Sequence, residues 1–565
     1  MPFRRYWTGC GRGKHVVKLI PLGGLGEIGL NMMVLECHET LFVIDVGLMF
    51  PEDYMLGVDY VIPDMSYLKQ NVKKLAGIVL THAHEDHIGA LPYLLREVHA
   101  PVFGAPFTLG LVRHKLEEHD LMGHTALHTV LPGETLKIGP FALEFIRVNH
   151  SVVDGVGIAI GTPYGTIVHT GDFKFSHTCV DGMATDVSRF ARCGEQGVLA
   201  LLSDSTNVEN AGHTVSDCEV AEVLAGICQR CTGRIIIALF ASNVGRIQQI
   251  VEIAVATGRK VLFNGRSIEV SVQIAQSLGY LRIPEGMQIE VDQVRQFPED
   301  EVIIITTGSQ GEPMSALARM AAGTHRQIKI MPEDTVILSS KFIPGNERAI
   351  TNIINDLYRC GATVVYEKIA RIHVSGHAFQ EELKMMIRLT RPRYFIPIHG
   401  EYRHLVQHAR LAEQEGIAKE NILLVQNGDM VTFGPCEAAA VTGSIMTGRL
   451  LIDGKGVGDV GRSVLKERRL LSEEGMVVIN MAFDEETGVV IYGPDLVSKG
   501  FVFETETGHL LDDAQCVVLE IVEDVPPEVP NRLEIIRSRV QSALRQYFFF
   551  TIGRRPLIMP FIIEV

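Results

Sequence analysis

Between Val16 and Ser203, short apolar runs alternate with glycine-rich or polar turns: VVKLIPL, NMMVLEC, LFVIDVG, GIVLTHAH, FALEFIRVNH, GTIVHTGD and VLALLSD. Runs of this length between turn residues predict strands. The first several follow one another too closely to be joined by helices, so the chain opens as a mixed sheet built from hairpins. Helical stretches are expected at Ile88 to Val98 and near Thr108 to Glu118, which makes the region a layered α/β domain rather than an all-β one. The rhythm changes near Gly212. Ser216 and Glu219 match a capping box opening a helix with Val220, Val223, Leu224, Ile227 and Cys231 on one face. RIIIALF, KVLFNG, VIIITTG and TVILSS then alternate with helical segments at Arg246 to Ala256, Ser267 to Leu278 and Pro313 to Ala322. That is a β-α-β series on a largely parallel sheet. ATVVYE and YFIPIHG continue the strands on either side of a helix-like FQEELKMMIRLT, and the glycine-rich stretch 443–461 reads as a linker. From about Gly475, GMVVINMAF, VVIYGPDLVS and AQCVVLEIVE read as strands, a helix follows Asn531, and PLIMPFIIEV closes as a strand. This tail is a small α+β domain.

Composition narrows the class. The chain has 565 residues, of which 46% are hydrophobic and 21% charged, so it is ordinary globular protein with ample core material. No apolar run reaches the roughly 18 residues of a membrane span. The opening MPFRRYWTGCGRGKH leads into no apolar stretch of signal-peptide length, which makes the cytoplasm the expected location. Ten cysteines scattered from Cys10 to Cys516 suit a reducing compartment. The net charge of −15 argues against coating polyanions with the whole surface, and leaves room for a locally basic channel involving Arg246, Arg266, Lys341, Arg348 and Arg403.

Two motifs mislead. Gly24, Gly26 and Gly29 satisfy G-x-G-x-x-G after a strand, with Asp45 about twenty residues on, but the fingerprint needs a helix next and the sequence there is β-rich. Cys228 and Cys231 form C-x-x-C without a second such pair, so packing on the apolar side of a helix is expected. The chemistry lies in GIVLTHAHEDHIGALPYLL, where His82, His84, Asp86 and His87 fall between a strand and a helix. A turn there can aim His82 and His84 one way and Asp86 and His87 another, so one segment can begin two metal sites. His150, Asp172 and His399 occupy the same strand-to-loop position later in the chain, where ligands from several strands converge on one crevice.

H-x-H-x-D-H followed by the later His and Asp resembles the metallo-β-lactamase superfamily. The inserted β-α-β block, GSQGEPMSALARMA, HVSGHA and PIHGEYRH resemble its β-CASP nucleases, and the ribonuclease J family most closely, over nearly the whole chain. The resemblance implies an αββα sandwich with an inserted β-CASP α/β domain and a small C-terminal α+β domain. The expected boundaries are an extension at 1–14, sandwich at 15–210 and 363–445, insertion at 211–362, linker at 446–470 and tail at 471–565. It implies His82, His84 and His150 on one metal, Asp86, His87 and His399 on another, and Asp172 bridging, with Asp45 supporting from behind. The implied metals are Zn²⁺ or Mn²⁺, with Mg²⁺ a further candidate. The catalytic candidates are His377, Asp86 and Asp204. His373, Val374, Ser375 and Gly376 line the substrate beside His377, while Ser242 and Asn243 resemble a pocket for a 5′-phosphate. Asp59 and Asp453 are candidates for a structural cation such as Ca²⁺. The implied activity is 5′-to-3′ exonuclease action favouring 5′-monophosphorylated single-stranded RNA, with endonuclease action, in rRNA maturation and mRNA decay. A homodimer or homotetramer, further RNA-decay partners and no membrane are implied as well. A small-ester metallo-hydrolase, a non-catalytic RNA-binding scaffold and a DNA-processing β-CASP enzyme are the rival readings.

Overall fold

The computed structural model describes residues 16–565 apart from 177–183, 313, 342–345, 436–437, 455, 485 and 503–508; the expected extension at 1–14 lies outside the described residues. The chain divides into two compact units, residues up to Phe50 with Val61–Leu450, and Pro51–Tyr60 with Leu451–Val565.

The first unit is built on two facing sheets. One has eight strands, with Val17–Gly23, Met32–Cys37, Thr40–Ile44 and Leu75–Val79 adjacent in its middle, and the other has six. In a strand alternate side chains share a face. Leu19, Leu35, Phe42 and Ile44 from the first sheet meet Phe141, Leu143, Ile158, Ile160, Leu202 and Ile396 from the second in one buried cluster. Phe42 and Phe141 make an edge-on contact there, ring centres 5.0 Å apart. The alternate residues Ile146, Ala159, Val168, Leu201 and Phe395 pack with Phe190, Leu383, Met386 and Leu411. Those partners come from helices Val187–Gln196, Gln380–Thr390 and Tyr402–Gln414, which cover the outer face of the second sheet. This is the expected sandwich. After Gly29 the chain enters the strand Met32–Cys37 and no helix, as the β-rich sequence required.

Strand direction places the site. Phe141–Arg147 runs antiparallel to Val156–Thr162, which runs antiparallel to Gly165–His169, so the first and third point the same way. Val198–Asp204 and then Tyr394–Ile398 pair parallel to them. Thr40–Ile44 and Leu75–Val79 are likewise parallel in the first sheet. Within each sheet the carboxyl ends of these strands therefore lie on one edge.

Between Asp204 and Tyr394 the chain makes a five-stranded, all-parallel sheet in the order Lys260–Asn264, Val302–Thr306, Ile235–Ala238, Thr335–Leu338, Thr363–Val365. Ile235–Ala238 and Val302–Thr306 are buried throughout, as strands covered on both faces must be. The helix over Asp217–Arg230 is capped by Ser216, whose hydroxyl accepts from the N–H of Cys218. Cys228 is buried in it, but Cys231 lies beyond its end in extended conformation, its thiol against the Ile227 carbonyl oxygen at 3.2 Å.

Two expectations change in the second half. The stretch read as a linker holds the strand Arg449–Asp453 and the helix Arg462–Glu474, because its glycines bend the backbone sharply: Gly454 and Gly458 have positive φ. AQCVVLEIVE is not a strand but part of the helix Leu510–Glu523, where Leu510, Ala514, Val518 and Val522 fall every fourth residue on the buried side. β-Branched content suggested a strand, and packing decided otherwise. Ile536, Val540, Leu544 and Phe548 of the helix Arg532–Ile552 join that core against the sheet formed by Met476–Phe483, Val490–Lys499 and Leu557–Glu564.

Asp154 links the first unit's sandwich to its inserted domain. Its backbone is left-handed, and its carboxylate accepts from the Phe107 N–H at 2.7 Å, in the first turn of the helix Pro106–Glu118, and interacts with Tyr280. Burial, opposing those donors, pushes its pKa up to about 7. The folded state therefore holds a proton that the unfolded state releases near pH 4, so stability from this group falls as the pH rises through about 4 to 7. Thermal melts of Asp154→Asn and wild type at about pH 5 and about pH 8.5 should show a smaller loss on going alkaline in the variant. Equal losses would mean that Asp154 is ionised throughout.

Candidate functional site

The strand Leu75–Val79 runs into Thr81, His82 and His84, and the short helix Glu85–Ile88 begins with His84 as its N-cap. Asp86 and His87 then lie in its first turn. His150 follows Phe141–Arg147, Asp172 follows Gly165–His169, Asp204 ends Val198–Asp204 and His399 follows Tyr394–Ile398. His399 takes a left-handed backbone, φ 53°, which turns the chain sharply at the strand end.

These side chains form adjoining groups. His84 Nδ1 lies 3.1 Å from both His82 Nε2 and His150 Nε2. Beside them His87 Nε2 is 3.3 Å from His399 Nε2, which is 3.3 Å from Asp86 Oδ2. Asp172 Oδ2 sits between, 3.5 Å from His82 Nε2, 3.3 Å from His87 Nε2, 3.8 Å from His150 Nε2 and 3.5 Å from His399 Nε2. Among the described residues, two of the groups able to hold a metal are His82, His84, His150 with Asp172, and Asp86, His87 with His399.

The surrounding hydrogen bonds assign the ring protons. Gly376 O can only accept, so His150 Nδ1 donates to it at 2.7 Å and Nε2 keeps a lone pair. His87 Nδ1 donates to Asp45 Oδ2 at 2.8 Å. The Thr81 hydroxyl donates to the same oxygen at 2.8 Å, leaving its lone pair for His82 Nδ1 at 3.0 Å. The Nε2 lone pairs of His82 and His150 therefore both face His84 Nδ1. Burial, the largest influence, holds His82 and His150 well below the usual histidine range and His84 at about 4. Three neutral imidazoles turned toward one point beside the Asp172 carboxylate are a donor set that fits a divalent metal. The second group differs. Burial alone would lower His87 and His399, but Asp172 with Asp86 and other carboxylates outweighs it, holding His87 well above its ordinary value and His399 at about 9. Asp172 itself stays far below the carboxylate range, because the histidines offset its desolvation.

Close packing supports this geometry. A Cβ on Gly376 would lie 2.5 Å from His150 Cε1, and one on Gly47 would lie 1.6 Å from the Asp86 carbonyl oxygen. Only glycine admits those approaches. Asn31, which sequence reasoning missed, donates from Nδ2 to the Asp86 carbonyl oxygen at 3.0 Å. Nothing in its sequence neighbourhood signals that reach of 55 residues.

Asp204 accepts from His377 Nδ1 at 2.8 Å, and the two carboxylates Asp204 and Asp172 overcome burial to raise the His377 pKa. Asn207 Nδ2 donates to Ser375 Oγ and the His377 carbonyl oxygen, holding the HVSGH loop. Val374 is buried, and His373 lies in an environment where burial, with Arg246 and Lys174, lowers its pKa to about 3. Glu382, also missed, accepts from the N–H groups of Phe175, Thr214 and Phe379, clamping the segments after Asp172 and His377 together.

Other candidates lie apart from the metal groups. Asn243 caps the helix Val244–Thr257, its side chain accepting from the Arg246 N–H at 3.0 Å, with Ser242 half-buried before it. Arg246 is buried 3.5 Å from Asp217, which also pairs with Lys174 at 2.7 Å. Arg266 and Arg403 are exposed and paired with Glu118 and Glu401. Asp59 Oδ2 accepts from the Gly454 N–H at 2.7 Å, while Asp453 is paired with Arg468. That guanidinium already supplies the positive charge a cation would bring there, and no metal-capable group among the described residues includes either aspartate.

Profiles of known families match along the chain: the metallo-β-lactamase superfamily at residues 25–207, the ribonuclease J β-CASP domain at 232–357, a Zn-dependent metallo-hydrolase RNA specificity domain at 362–424 and the ribonuclease J C-terminal domain at 463–565. Ribonuclease J 1 of Streptococcus pyogenes serotype M3 is 41% identical over 547 residues, 97% of each chain. Ribonuclease J2 of Bacillus subtilis strain 168 is 40% identical, over 97% of this chain and 99% of the relative. Ribonuclease J of Helicobacter pylori strain B128 is 40% identical, over 97% and 79%. A crystal structure of a protein of unknown function from Enterococcus faecalis V583 aligns with a TM-score of 0.53 at 14% identity, covering 74% of this chain and 100% of that one, which shows a shared fold.

Metal loading at this centre should release protons. His87 and His399 hold theirs against neighbouring carboxylates, whereas His82, His84 and His150 are already neutral. Calorimetric titration near neutral pH in buffers of differing ionisation enthalpy should give about two protons released at full loading. Release of none would overturn the assignment of charge to the second group.

Proposed function

This chain belongs to the ribonuclease J family, and on that premise we propose that it is a metal-dependent ribonuclease that removes nucleotides from the 5′ end of single-stranded RNA, favours a 5′-monophosphate and also cuts internally. The observation that carries the reading is the joined set of His82, His84, His150, Asp172, Asp86, His87 and His399 beside the His377–Asp204 pair.

His82, His84 and His150 would hold one divalent cation, Asp86, His87 and His399 a second, with Asp172 shared. Zn²⁺ or Mn²⁺ suits nitrogen and carboxylate donors without thiolates, with Mg²⁺ a further candidate. When bound, the pair would acidify a water for in-line attack on phosphorus and neutralise charge on the phosphodiester. The protein's own groups do the rest. Asp204 accepts from His377 Nδ1, keeps the ring protonated and fixes its plane. His377 Nε2–H is then the proton for the departing 3′-oxygen as the P–O3′ bond breaks, leaving a 3′-hydroxyl on the released nucleotide and a 5′-phosphate on the shortened RNA. Ser375 Oγ and the backbone around Gly376 line the same loop and suit a phosphate oxygen. Ser242 and Asn243, at a helix N-terminus, are the proposed pocket for the 5′-phosphate, favoured there by the positive end of the helix dipole.

The family membership supports roles in rRNA maturation and mRNA decay. Homodimers or homotetramers are supported by the C-terminal sheet, which leaves Phe561 and Ile563 more than half exposed. No helix among the described residues is long and apolar enough to cross a membrane.

One RNA, prepared with a 5′-monophosphate or a 5′-triphosphate and incubated with added Mn²⁺ or Zn²⁺, tests the proposal. Mononucleotides should accumulate faster from the monophosphate form and disappear with His84→Ala. Internal fragments indifferent to the 5′ group would restrict the activity to endonuclease action. Absence of metal-dependent cleavage would favour a small-ester hydrolase or a scaffold.

A further inference from the structure

Thr206 follows Asp204 by two residues, half-buried, in a loop with no metal ligand of its own. Its hydroxyl oxygen is 2.6 Å from His399 Nδ1, 2.8 Å from Asp204 Oδ1 and 3.2 Å from the His399 carbonyl oxygen. A hydroxyl has one proton to give. The Asp204 carboxylate and the carbonyl can only accept, and the carboxylate is the nearer, so the proton goes to Asp204 Oδ1. The oxygen lone pair is then left for His399 Nδ1–H, and His399 Nε2 is the nitrogen turned toward His87 Nε2 and Asp86. The Thr206 backbone N–H reaches the same carboxylate oxygen at 2.9 Å. Two donors on Oδ1 fix the carboxylate plane and direct Oδ2 at His377 Nδ1.

The molecule uses the same device elsewhere. Thr81 donates to Asp45 and accepts from His82, as Thr206 donates to Asp204 and accepts from His399. In each case a threonine hydroxyl lies between a buried aspartate and a histidine at the metal groups. The second case differs in what its aspartate does, because Asp204 also holds His377.

We propose that Thr206 is a positioning residue that presents His399 Nε2 to the metal and, through the same hydroxyl, aims Asp204 at His377, so that metal binding and proton delivery share one hydrogen-bonded support. The proposal rests on the nuclease reading for its second half only. Without the hydroxyl, Asp204 Oδ1 at 3.7 Å is the next acceptor near His399 Nδ1, too far for a hydrogen bond. The ring is then free to carry its proton on Nε2, where it blocks coordination.

The test compares Thr206→Val, which keeps the shape and removes the hydroxyl, with Thr206→Ser, which keeps the hydroxyl, and with wild type. Zn²⁺ affinity of one of the two binding steps, measured by competition with a chromophoric chelator in the absence of RNA, should fall about 10- to 100-fold in the valine variant and return in the serine variant. On RNA, kcat should fall while KM stays within about twofold, again with rescue by serine. Unchanged Zn²⁺ affinity in a folded valine variant, or equal losses in valine and serine, would overturn the proposal. If valine does not fold, as judged by thermal melting, serine together with Thr206→Asn decides: both keep a polar partner for His399 Nδ1, and loss of Zn²⁺ affinity in both would count against it. Failure of wild type to cleave RNA would sink the nuclease reading, while the chelator measurement would still decide the metal half.

Discussion

The active centre depends on one carboxylate taken out of water. Asp172 Oδ2 lies within reach of His82, His87, His150 and His399, and its ionised form is tolerable in the interior only because positive charge surrounds it. That requirement sets the rest. Two of the histidines hold protons when the carboxylates around them call for it, and the others stay neutral with their lone pairs turned inward. Strands from both sheets must end at one edge for this to be built, and the parallel run of Gly165–His169, Val198–Asp204 and Tyr394–Ile398 provides it in the second sheet.

Around that centre the tetrapeptide Asp204, Ser205, Thr206 and Asn207 gathers the remaining parts. Asp204 holds His377, Ser205 Oγ meets His408 Nδ1 at 2.9 Å, Thr206 holds His399 and Asn207 holds the loop of Ser375. Four successive residues thus tie the end of one strand to a helix, to His399 and to the loop of His377. The inserted parallel domain begins just beyond them, so the place where the chain leaves the sandwich is among the most heavily bonded in it. An insertion of that size is accommodated because its two ends leave and re-enter beside the same strand pair.

The clustered histidines and aspartates and the strand ends that bear them were legible in sequence, because H-x-H-x-D-H concentrates unusual side chains and because turn residues mark the ends of apolar runs. What could not be read were partners far apart in the chain. Asn31 reaches Asp86, Glu382 reaches Phe175 and Thr214, and Asn207 reaches Ser375; asparagine, glutamate and threonine are too common to stand out until the fold sets them together. Local preference also misled where burial decided. Val517, Val518, Ile521 and Val522 favour strand by type, yet every fourth position from Leu510 meets one core, and the segment is helical. Glycines at 454 and 458 looked like loosened chain and instead serve turns that keep the strand Arg449–Asp453 in place.

The strand Tyr394–Ile398 that carries His399 is the last of its sheet to be made, although it pairs directly with Val198–Asp204. His82, His84, His150 and Asp172 all leave the ribosome more than 200 residues before it does. During synthesis the first metal group therefore has its full set of side chains while the second lacks one, and the edge of Val198–Asp204 has no neighbour on that side. In this order the cluster around Asp172 stays open while most of the message is still being translated, and closes only when the chain returns from the inserted domain to complete the sheet.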